Sequence, residues 1–292
     1  MRVDTFPSFE FSAIGIGAMP LSWDVAHDDA VAVLTHAFDV GLTLVDTADI
    51  YSPSAETVGH NERIVGDAVR AWAGERQKIF VLTKNGLRRN GEDWWRDNSP
   101  EWMLRAAEHS NEALGLTPDC IAVHRINRDQ SLVDCIEGMV AIRDRGLTRS
   151  IGLSNVTQAE FDVAWEVSEG SIVVVENEYS PRFRTERSII DSCAERGVLY
   201  LPWSPLGGGD EAARLGELYP AFADVAQHHG VSAQAVALAW LRALGSTVVP
   251  VPGFRRLATL NDALTSLSVH LTSDEMATLN ASPQGPGSVY PD

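Results

Sequence analysis

Asp46, Tyr51, Lys84 and His124 together have the makings of a proton donor for an oxygen atom. A tyrosine hydroxyl is a very weak acid, with a pKa of about 10. A neighbouring lysine ammonium favours the phenolate and lowers that value. The lysine must itself stay charged when partly buried, and an adjacent carboxylate ensures this. Tyr51 fits the role of acid, Lys84 of tuner and Asp46 of counter-ion, while His124 can hydrogen-bond a substrate oxygen and orient it. The set holds no activated nucleophile, so it reads as a site that protonates a carbonyl oxygen. Carbonyl reduction also needs a hydride, which no side chain supplies and a nicotinamide cofactor would.

For four residues so far apart in sequence to act together, the elements carrying them must converge. Asp46, Lys84 and His124 each close a short apolar run, and Tyr51 lies just beyond the first of these. Eight such runs, at 13–17, 43–46, 79–83, 120–124, 150–153, 172–175, 199–202 and 248–251, read as strands. Helical periodicity fills the gaps at 28–40, 62–73, 100–114, 132–144, 158–167, 184–195, 217–229 with 233–244, and 257–267. A last helix opens at Thr272, whose pairing with Glu275 matches a capping box. Strands alternating with helices pair in parallel through right-handed crossovers. Strands apolar on both faces and eight such units favour an α/β fold, a (β/α)8 TIM barrel. Active sites of such barrels sit at the C-terminal ends of the strands, which is where the four residues fall.

The rest of the chain narrows the function classes. It has 292 residues, 45% hydrophobic and 22% charged, a globular balance. No break in composition marks a second domain, so residues 1–292 read as one barrel domain with a Pro/Gly-rich tail at 283–292. With 23 Lys and Arg against 40 Asp and Glu, the net charge is −17, which disfavours nucleic acid and anionic membrane surfaces as partners. No apolar run approaches the roughly 20 residues of a membrane span, and the N-terminus lacks the apolar core of a secretory signal. Cys120, Cys135 and Cys193 lie far apart without metal-ligand spacing, as expected of reduced, buried thiols in a cytoplasmic protein. Gly15-Ile16-Gly17 lacks a third glycine at dinucleotide spacing and reads as a strand-end turn. A metal-dependent barrel hydrolase would carry His-x-His there, and no metal is expected. Arg255-Arg256 starts a helix, where two cations oppose the macrodipole and so suggest an anionic ligand. Trp23, Trp94 and Trp95 lie in loops after strands one and three, either packing those loops or walling a substrate pocket that Arg125 would join.

The run GLTLVDTADIYSPSAETVGHNERIVGDAV, followed in order by VLTKNG, DCIAVHR, GLSN, ENEYS, WSPLGGG and VPVPGFRR, resembles the aldo-keto reductase family along nearly the whole chain. The resemblance implies a TIM barrel using NADP(H), with Asp46, Tyr51, Lys84 and His124 as its catalytic set. It also implies that Ser154, Asn155 and Glu176 hold the nicotinamide carboxamide and that Trp203 stacks on the ring. Gly207 to Gly209 reads by itself as a flexible loop, and the resemblance implies that it folds over the pyrophosphate, with Ser204, Leu206, Gly253, Phe254, Arg255 and Arg256 completing the implied cofactor site. Two positions depart from the family. Glu176 stands where the family usually has Gln, and Asp262-Ala263 stands where it often has Glu-Asn against adenine. An ionised Glu176 beside the ring would favour the oxidised cofactor, unless a cation such as Arg182 or Arg184 pairs with it. The implied activity is NADPH-dependent reduction of an aldehyde or ketone, sugars included, or the reverse oxidation. A catalytically idle NADP(H)-binding regulatory subunit is the alternative, and the intact catalytic set argues against it.

Overall fold

The computed structural model describes residues 9–185 and 187–291. Chain order begins β1 (Ile16–Gly17), α1 (His27–Asp39), β2 (Leu44–Asp46), α2 (His60–Ala71), β3 (Phe80–Asn85), then β4 (Leu87–Asn90) and β5 (Asp93–Arg96). There follow α3 (Pro100–Leu114), β6 (Cys120–Val123), α4 (Leu132–Asp144), β7 (Ile151–Ser154), α5 (Gln158–Val167), β8 (Ile172–Glu178), α6 (Arg187–Arg196) and β9 (Leu199–Trp203). Five more helices close the chain: α7 (Gly209–Ala212), α8 (Leu215–Leu218), α9 (Pro220–His229), α10 (Ala233–Arg242) and α11 (Leu257–Thr265), with α12 (Ser273–Ala281) beyond them. Local chemistry sets several boundaries. Ser99 caps α3 ahead of Pro100, and Thr157 with Glu160 and Thr272 with Glu275 form capping boxes on α5 and α12. The helix expected over 217–229 is divided, because Pro220 has no N–H to continue a helix from α8 and instead starts α9. The helix expected from 184 begins within α6 instead, since Arg184 pairs with Tyr179 in a β-bridge.

Among the described residues, a parallel sheet runs β1-β2-β3-β6-β7-β8-β9. The eighth expected strand, 248–251, closes the ring without forming a full strand. Val249 and Val251 donate to Tyr200 and Pro202 of β9 at 2.9 and 3.2 Å, and Gly15 and Gly17 donate to Pro250 and Pro252, both at 2.9 Å. Pro250 and Pro252 face β1 with no N–H to give back, so that side of the ladder is half made. Gly253 bridges to Gly17, and a Cβ on it would lie 2.6 Å from the Pro20 ring, which explains glycine there.

Side chains alternate across each strand. The inward row, Leu44, Phe80, Leu82, Cys120, Ala122, Val174, Leu199 and Leu201, forms the barrel's own core with Val249 and Val251. Phe9 and Phe11 plug its floor against the Phe80 ring at 5.5 and 5.0 Å. The outward row, including Val45, Val81, Ile121, Val123, Leu153 and Val175, packs under the helices. Continuing the inward row by two residues on each strand reaches Asp46, Lys84, His124, Glu176 and Trp203, with Ser154 two beyond Gly152. Period-two geometry thus raises these side chains one layer above an apolar floor. An antiparallel hairpin, β4–β5, stands beyond β3 where the sequence had suggested only a loop. Asn90-Gly91 at its turn, with Gly91 at φ 59°, is the signal that marks it.

Candidate active site

At the centre, the Lys84 ammonium bonds directly to Asp46 Oδ1 and lies 3.1 Å from Glu176 Oε2 and 3.4 Å from Oε1. Lys84 and Glu176 are both 1% exposed and Asp46 is 4%. The Glu176 Oε2 contact is an ion pair by distance but not aligned as a hydrogen bond, so that oxygen has no hydrogen-bond partner among the described residues. Neither Arg182 nor Arg184 pairs with Glu176. Arg182 bonds to Glu211 and the Gly287 carbonyl, and Arg184 to the carbonyls around 279–282.

Electrostatics follow from two carboxylates sharing one cation out of water. Burial alone pulls the Lys84 pKa down, but Asp46, then Glu176 and Tyr51, reverse this and hold the ammonium above its ordinary range. Burial pushes the Asp46 carboxyl up, with Lys84 opposing. Burial, reinforced by Asp46 and opposed by Lys84, pushes Glu176 up to about 8. At neutral pH Glu176 therefore carries a proton, which makes the Asp46–Lys84–Glu176 group neutral overall.

Tyr51 lies over this group, its ring centroid 5.3 Å from Lys84 Nζ. Here the expectation from sequence needs correcting. Lys84 does lower the phenol's pKa, but burial around the hydroxyl is the larger influence, and Asp46 and Glu176 add to it. The net direction is upward, so Tyr51 holds its proton firmly instead of tending to phenolate. The His124 ring meets the Tyr51 ring edge-on at 5.6 Å. Burial, then Lys84 and Arg125, hold its pKa well below the ordinary range, leaving a neutral imidazole. Its Nδ1 has no partner among the described residues. The four residues thus converge as a protonated phenol, a charged lysine with its counter-ion, and a neutral histidine.

Ser154 is buried at the end of β7, and the next residue, Asn155, takes φ 58°. Asn155 donates to the His124 carbonyl at 3.0 Å and to Ser154 Oγ at 2.9 Å, and accepts from the Trp203 indole at 3.1 Å. Ser204, just after β9, takes φ 45°. Left-handed backbone is uncommon outside glycine, and such strain gathers at functional sites. Leu206 packs against the core and Gly207 turns at φ 86°. Phe254 is buried, whereas Arg255 and Arg256 are exposed before α11 and make no ion pair among the described residues. Asp262 is bonded to Ser232 at 2.8 Å.

A cavity of 710 Å³ opens beside this layer, lined by Trp94, Trp95 and Arg125 among others. Trp23 is not part of its lining. The segment that sequence reading had left as a plain tail forms one of its walls through Val289, Tyr290 and Pro291. Glu178 grips that segment, accepting from Ser288 Oγ and, at 2.9 Å, from the Val289 N–H. The Tyr290 ring lies 6.0 Å from that of Trp203. Glu178 and Tyr290 had no periodicity to betray them, because Glu178 meets Ser288 and Val289 110 and 111 positions on and Tyr290 meets Trp203 from far along the chain.

The parallel barrel thus gathers a buried lysine–carboxylate group, a tyrosine and a histidine at the C-terminal ends of its strands. The aldo/keto reductase family model matches residues 13–283, and the chain belongs to that family. Pyridoxine 4-dehydrogenase of Escherichia coli is 29% identical over 260 residues, covering 86% of this chain and 85% of that one. The NADP(+) aldo-keto reductase yakc of Schizosaccharomyces pombe is 28% identical over 305 residues, covering 92% and 86%. Among solved structures, the glycerol dehydrogenase of Gluconobacter oxydans has a TM-score of 0.81 at 20% identity, covering 96% of this chain and 93% of that one. An aldo/keto reductase of Klebsiella pneumoniae, solved with NADP and acetate, has a TM-score of 0.76 at 23% identity, covering 92% and 90%. No described helix is long and apolar enough to cross a membrane.

Proposed function

We propose that this protein is an NADP(H)-dependent oxidoreductase that reduces an aldehyde or ketone to an alcohol, or runs the reverse oxidation. The observation that carries this reading is the convergence of Tyr51 and His124 over a Lys84 ammonium held between Asp46 and Glu176. Family membership supports a nicotinamide cofactor, and the NADP(+)-linked relative supports the phosphorylated form. The residues present fit it. Glu176 Oε2 is a buried oxygen without a hydrogen-bond partner, able to accept from a carboxamide, with Ser154 and Asn155 nearby on the adjoining strand. Trp203 offers an indole face, the turn at Ser204, Leu206 and Gly207 a backbone edge, and Arg255 and Arg256, beyond Gly253 and Phe254, two cations for a phosphate.

When bound, the nicotinamide supplies or accepts the hydride. The chain's own residues handle the oxygen. Neutral His124 donates a hydrogen bond to the carbonyl oxygen and fixes its direction toward Tyr51. Tyr51 gives its hydroxyl proton as negative charge builds on that oxygen. Lys84 stabilises the phenolate left behind, and Asp46 keeps Lys84 charged throughout. The raised pKa of Tyr51 makes Lys84 indispensable, because without it the phenol is a poor acid.

Following NADPH and NADH consumption against a panel of aldehydes, ketones and sugars, and NADP+ reduction with the matching alcohols, tests the reading. Tyr51→Phe is expected to lower kcat by about 10²–10⁴-fold, the range for a lost general acid. NADPH affinity should stay within about twofold, since the hydroxyl acts on substrate. Turnover within a few-fold of wild type would remove Tyr51 from the mechanism.

A further inference from the structure

Tyr51 belongs to no strand or helix, so its place over Lys84 is set by what holds its backbone. Its carbonyl accepts two hydrogen bonds, from the Asn61 N–H at 3.1 Å and from Ser22 Oγ at 3.0 Å. The first follows from the start of α2. First-turn N–H groups of a helix have no acceptor within it. Gly59, ahead of α2, has no side chain to supply one, and the Tyr51 carbonyl takes that place for Asn61. The Gly59 N–H donates in turn to the Asp49 carbonyl at 2.7 Å, which closes the excursion of chain between Tyr51 and α2.

The Asn61 side chain ties this junction to the ends of β1 and β2. It is fully buried, its Oδ1 accepts from Thr47 Oγ1 at 2.6 Å, and its Nδ2 donates to the Ala18 carbonyl at 2.9 Å and to Ser22 Oγ at 2.8 Å. Thr47 directly follows Asp46, and the Ala18 N–H donates to the Asp46 carbonyl at 2.8 Å, so the same side chain reaches both sides of the Lys84 counter-ion. Ser22, also buried, completes the junction. A hydroxyl has one hydrogen to give and two lone pairs to receive with. The Tyr51 carbonyl can only accept and takes that hydrogen, while Asn61 Nδ2 can only donate. His60 Nδ1, 3.1 Å from the same oxygen, is left to donate as well, which saturates Ser22 Oγ and fixes the His60 tautomer.

The route from this network to the chemistry is the Tyr51 backbone. The phenol hydroxyl stands at the far end of a long, rigid side chain, so a small turn of that backbone is amplified at the oxygen. A general acid has to lie about 2.6–3.2 Å from the atom it protonates, and a misplacement of about 1 Å can cost 10²-fold in rate. We propose that Asn61 and Ser22 are positioning residues for Tyr51, holding its carbonyl from two sides so that the hydroxyl stays aligned with Lys84 and His124. The proposal rests on the oxidoreductase reading above for the role of Tyr51 as the acid. It makes the loop after β1, which carries Trp23, part of the acid's mounting.

The test uses the full chain with NADPH and 4-nitrobenzaldehyde, whose electron-poor carbonyl keeps turnover measurable when the acid is impaired. Asn61→Ala is expected to lower kcat by about 10²-fold and Ser22→Ala by about tenfold, with KM and NADPH affinity each within about twofold of wild type. Ser22→Thr keeps the hydroxyl and should stay within about threefold. Both alanine variants are then placed in a Tyr51→Phe background. With no hydroxyl left to position, each should cost less than about twofold there. Equal losses with and without the Tyr51 hydroxyl would show that the two residues only support the fold, and would overturn the proposal. If Asn61→Ala does not fold, Ser22→Ala, which opens little space, carries the comparison.

A second readout needs no turnover. In protein labelled with 13C in the tyrosine rings, Tyr51→Phe identifies the Tyr51 signal among the five tyrosines. Ser22→Ala and Asn61→Ala should move that signal and leave the others in place. If wild type reduces no aldehyde or ketone of the panel, the oxidoreductase reading falls, and this shift still decides whether Asn61 and Ser22 set the Tyr51 ring. A Tyr51 signal that stays put, or five signals that all move together, would end the proposal.

Discussion

The two faces of β3 carry two buried acid clusters built from the same kinds of group and solved differently. Inward, Lys84 stands between Asp46 and Glu176. Outward, Thr83 and Asn85 meet a second acid pair to which no lysine bonds, Lys84 acting on Asp49 only as a weaker, more distant charge. Thr83 Oγ1 donates to Glu62 at 2.6 Å, and Asn85 Nδ2 donates to Asp49 at 3.0 Å and to Ser110 at 2.9 Å. Asp49 Oδ1, Glu62 Oε2 and Asn85 Oδ1 have no hydrogen-bond partner among the described residues. Burial pushes Glu62 up to about 7, with Thr83 and Ser110 opposing. Burial and the nearby Glu62 push Asp49 well above the carboxylate range. The inward cluster keeps an Asp46–Lys84 ion pair beside a Glu176 whose pKa is raised, and that pair can respond to a reacting oxygen. The outward cluster has no cation bonded to it, and burial favours the protonated form of both acids, which suits a scaffold and not a reaction. A buried cation turns an acid pair from a structural group into a chemical one.

Removing that cation is the strongest way to erase the contrast. Lys84→Met would leave Asp46 and Glu176 facing each other in a buried site with no counter-charge. Truncating one partner of a buried ion pair typically costs about 3–5 kcal/mol. Carboxyls with raised folded-state pKa values stabilise the fold below their unfolded pKa and lose that contribution as pH rises through the folded one. The variant should therefore be much less destabilised at pH 5 than at pH 8 in denaturant unfolding, and inactive at both. A destabilisation independent of pH would mean that the carboxylates are not held by Lys84.

The outward cluster offers a smaller effect of opposite sign. Glu62 titrates at about 7 in the fold and at an ordinary carboxyl value of about 4.3 when unfolded. Its contribution is complete below that lower value, falls as pH rises, and is gone above about 7. Glu62→Gln keeps an acceptor for Thr83 and has nothing to deprotonate. It should be close to wild type at pH 4.5 and more stable at pH 8 by on the order of 2 kcal/mol. Equal stability differences at the two pH values would show that Glu62 does not carry the proton assigned to it.

Both clusters also show what a sequence can and cannot disclose. Asp46, Lys84 and His124 were legible because each ends an apolar run, and parallel barrels gather strand ends on one rim. The limits of α3, α4 and α5 were legible from periodicity, and the caps that the structure shows, Ser99 and the Thr157–Glu160 box, stand at the starts of α3 and α5. The hairpin β4–β5 was missed because neither strand is buried and arginines break up its apolar residues, so the apolar criterion passed over them despite Asn90-Gly91. The closing segment at 248–251 was read as a strand from its valines, while its prolines leave it held by alternate hydrogen bonds. The upward shift of Tyr51 was not legible at all. Its sign depends on burial against one cation and two carboxylates, and the second carboxylate comes from β8, 125 positions along the chain. For the same reason, the partner of Glu176 was sought among the nearby arginines and found instead on β3.

The finest distinction concerns Glu176 itself, which either cluster type describes, depending on pH. With its pKa near 8, it is a neutral acid at pH 7 and a carboxylate at pH 9. The oxidised nicotinamide ring is cationic and the reduced ring is not. Only the ionised form of Glu176 should therefore favour NADP+ over NADPH. Lys84 and Asp46 stand in both wild type and a Glu176→Gln variant and balance each other, so ionised Glu176 differs from Gln by one negative charge. A full charge at about 5 Å in an effective dielectric near 20 would give roughly 3 kcal/mol as an upper scale, and screening by solvent at the barrel mouth should leave a small fraction of that. Comparing wild type with Glu176→Gln, the ratio of NADP+ to NADPH affinity should agree at pH 7 and differ by about threefold at pH 9, wild type favouring NADP+. The adenosine phosphate titrates alike in both cofactors and drops out of the ratio. Linkage gives a second readout: NADP+ binding near pH 8 should release protons from wild type, seen as a dependence of binding heat on buffer ionisation, and Glu176→Gln should lose that release. If the ratio matches at both pH values and the proton release persists in the variant, Glu176 is a plain hydrogen-bond acceptor. Its charge, like that of Glu62, would then belong to the fold and not to the cofactor.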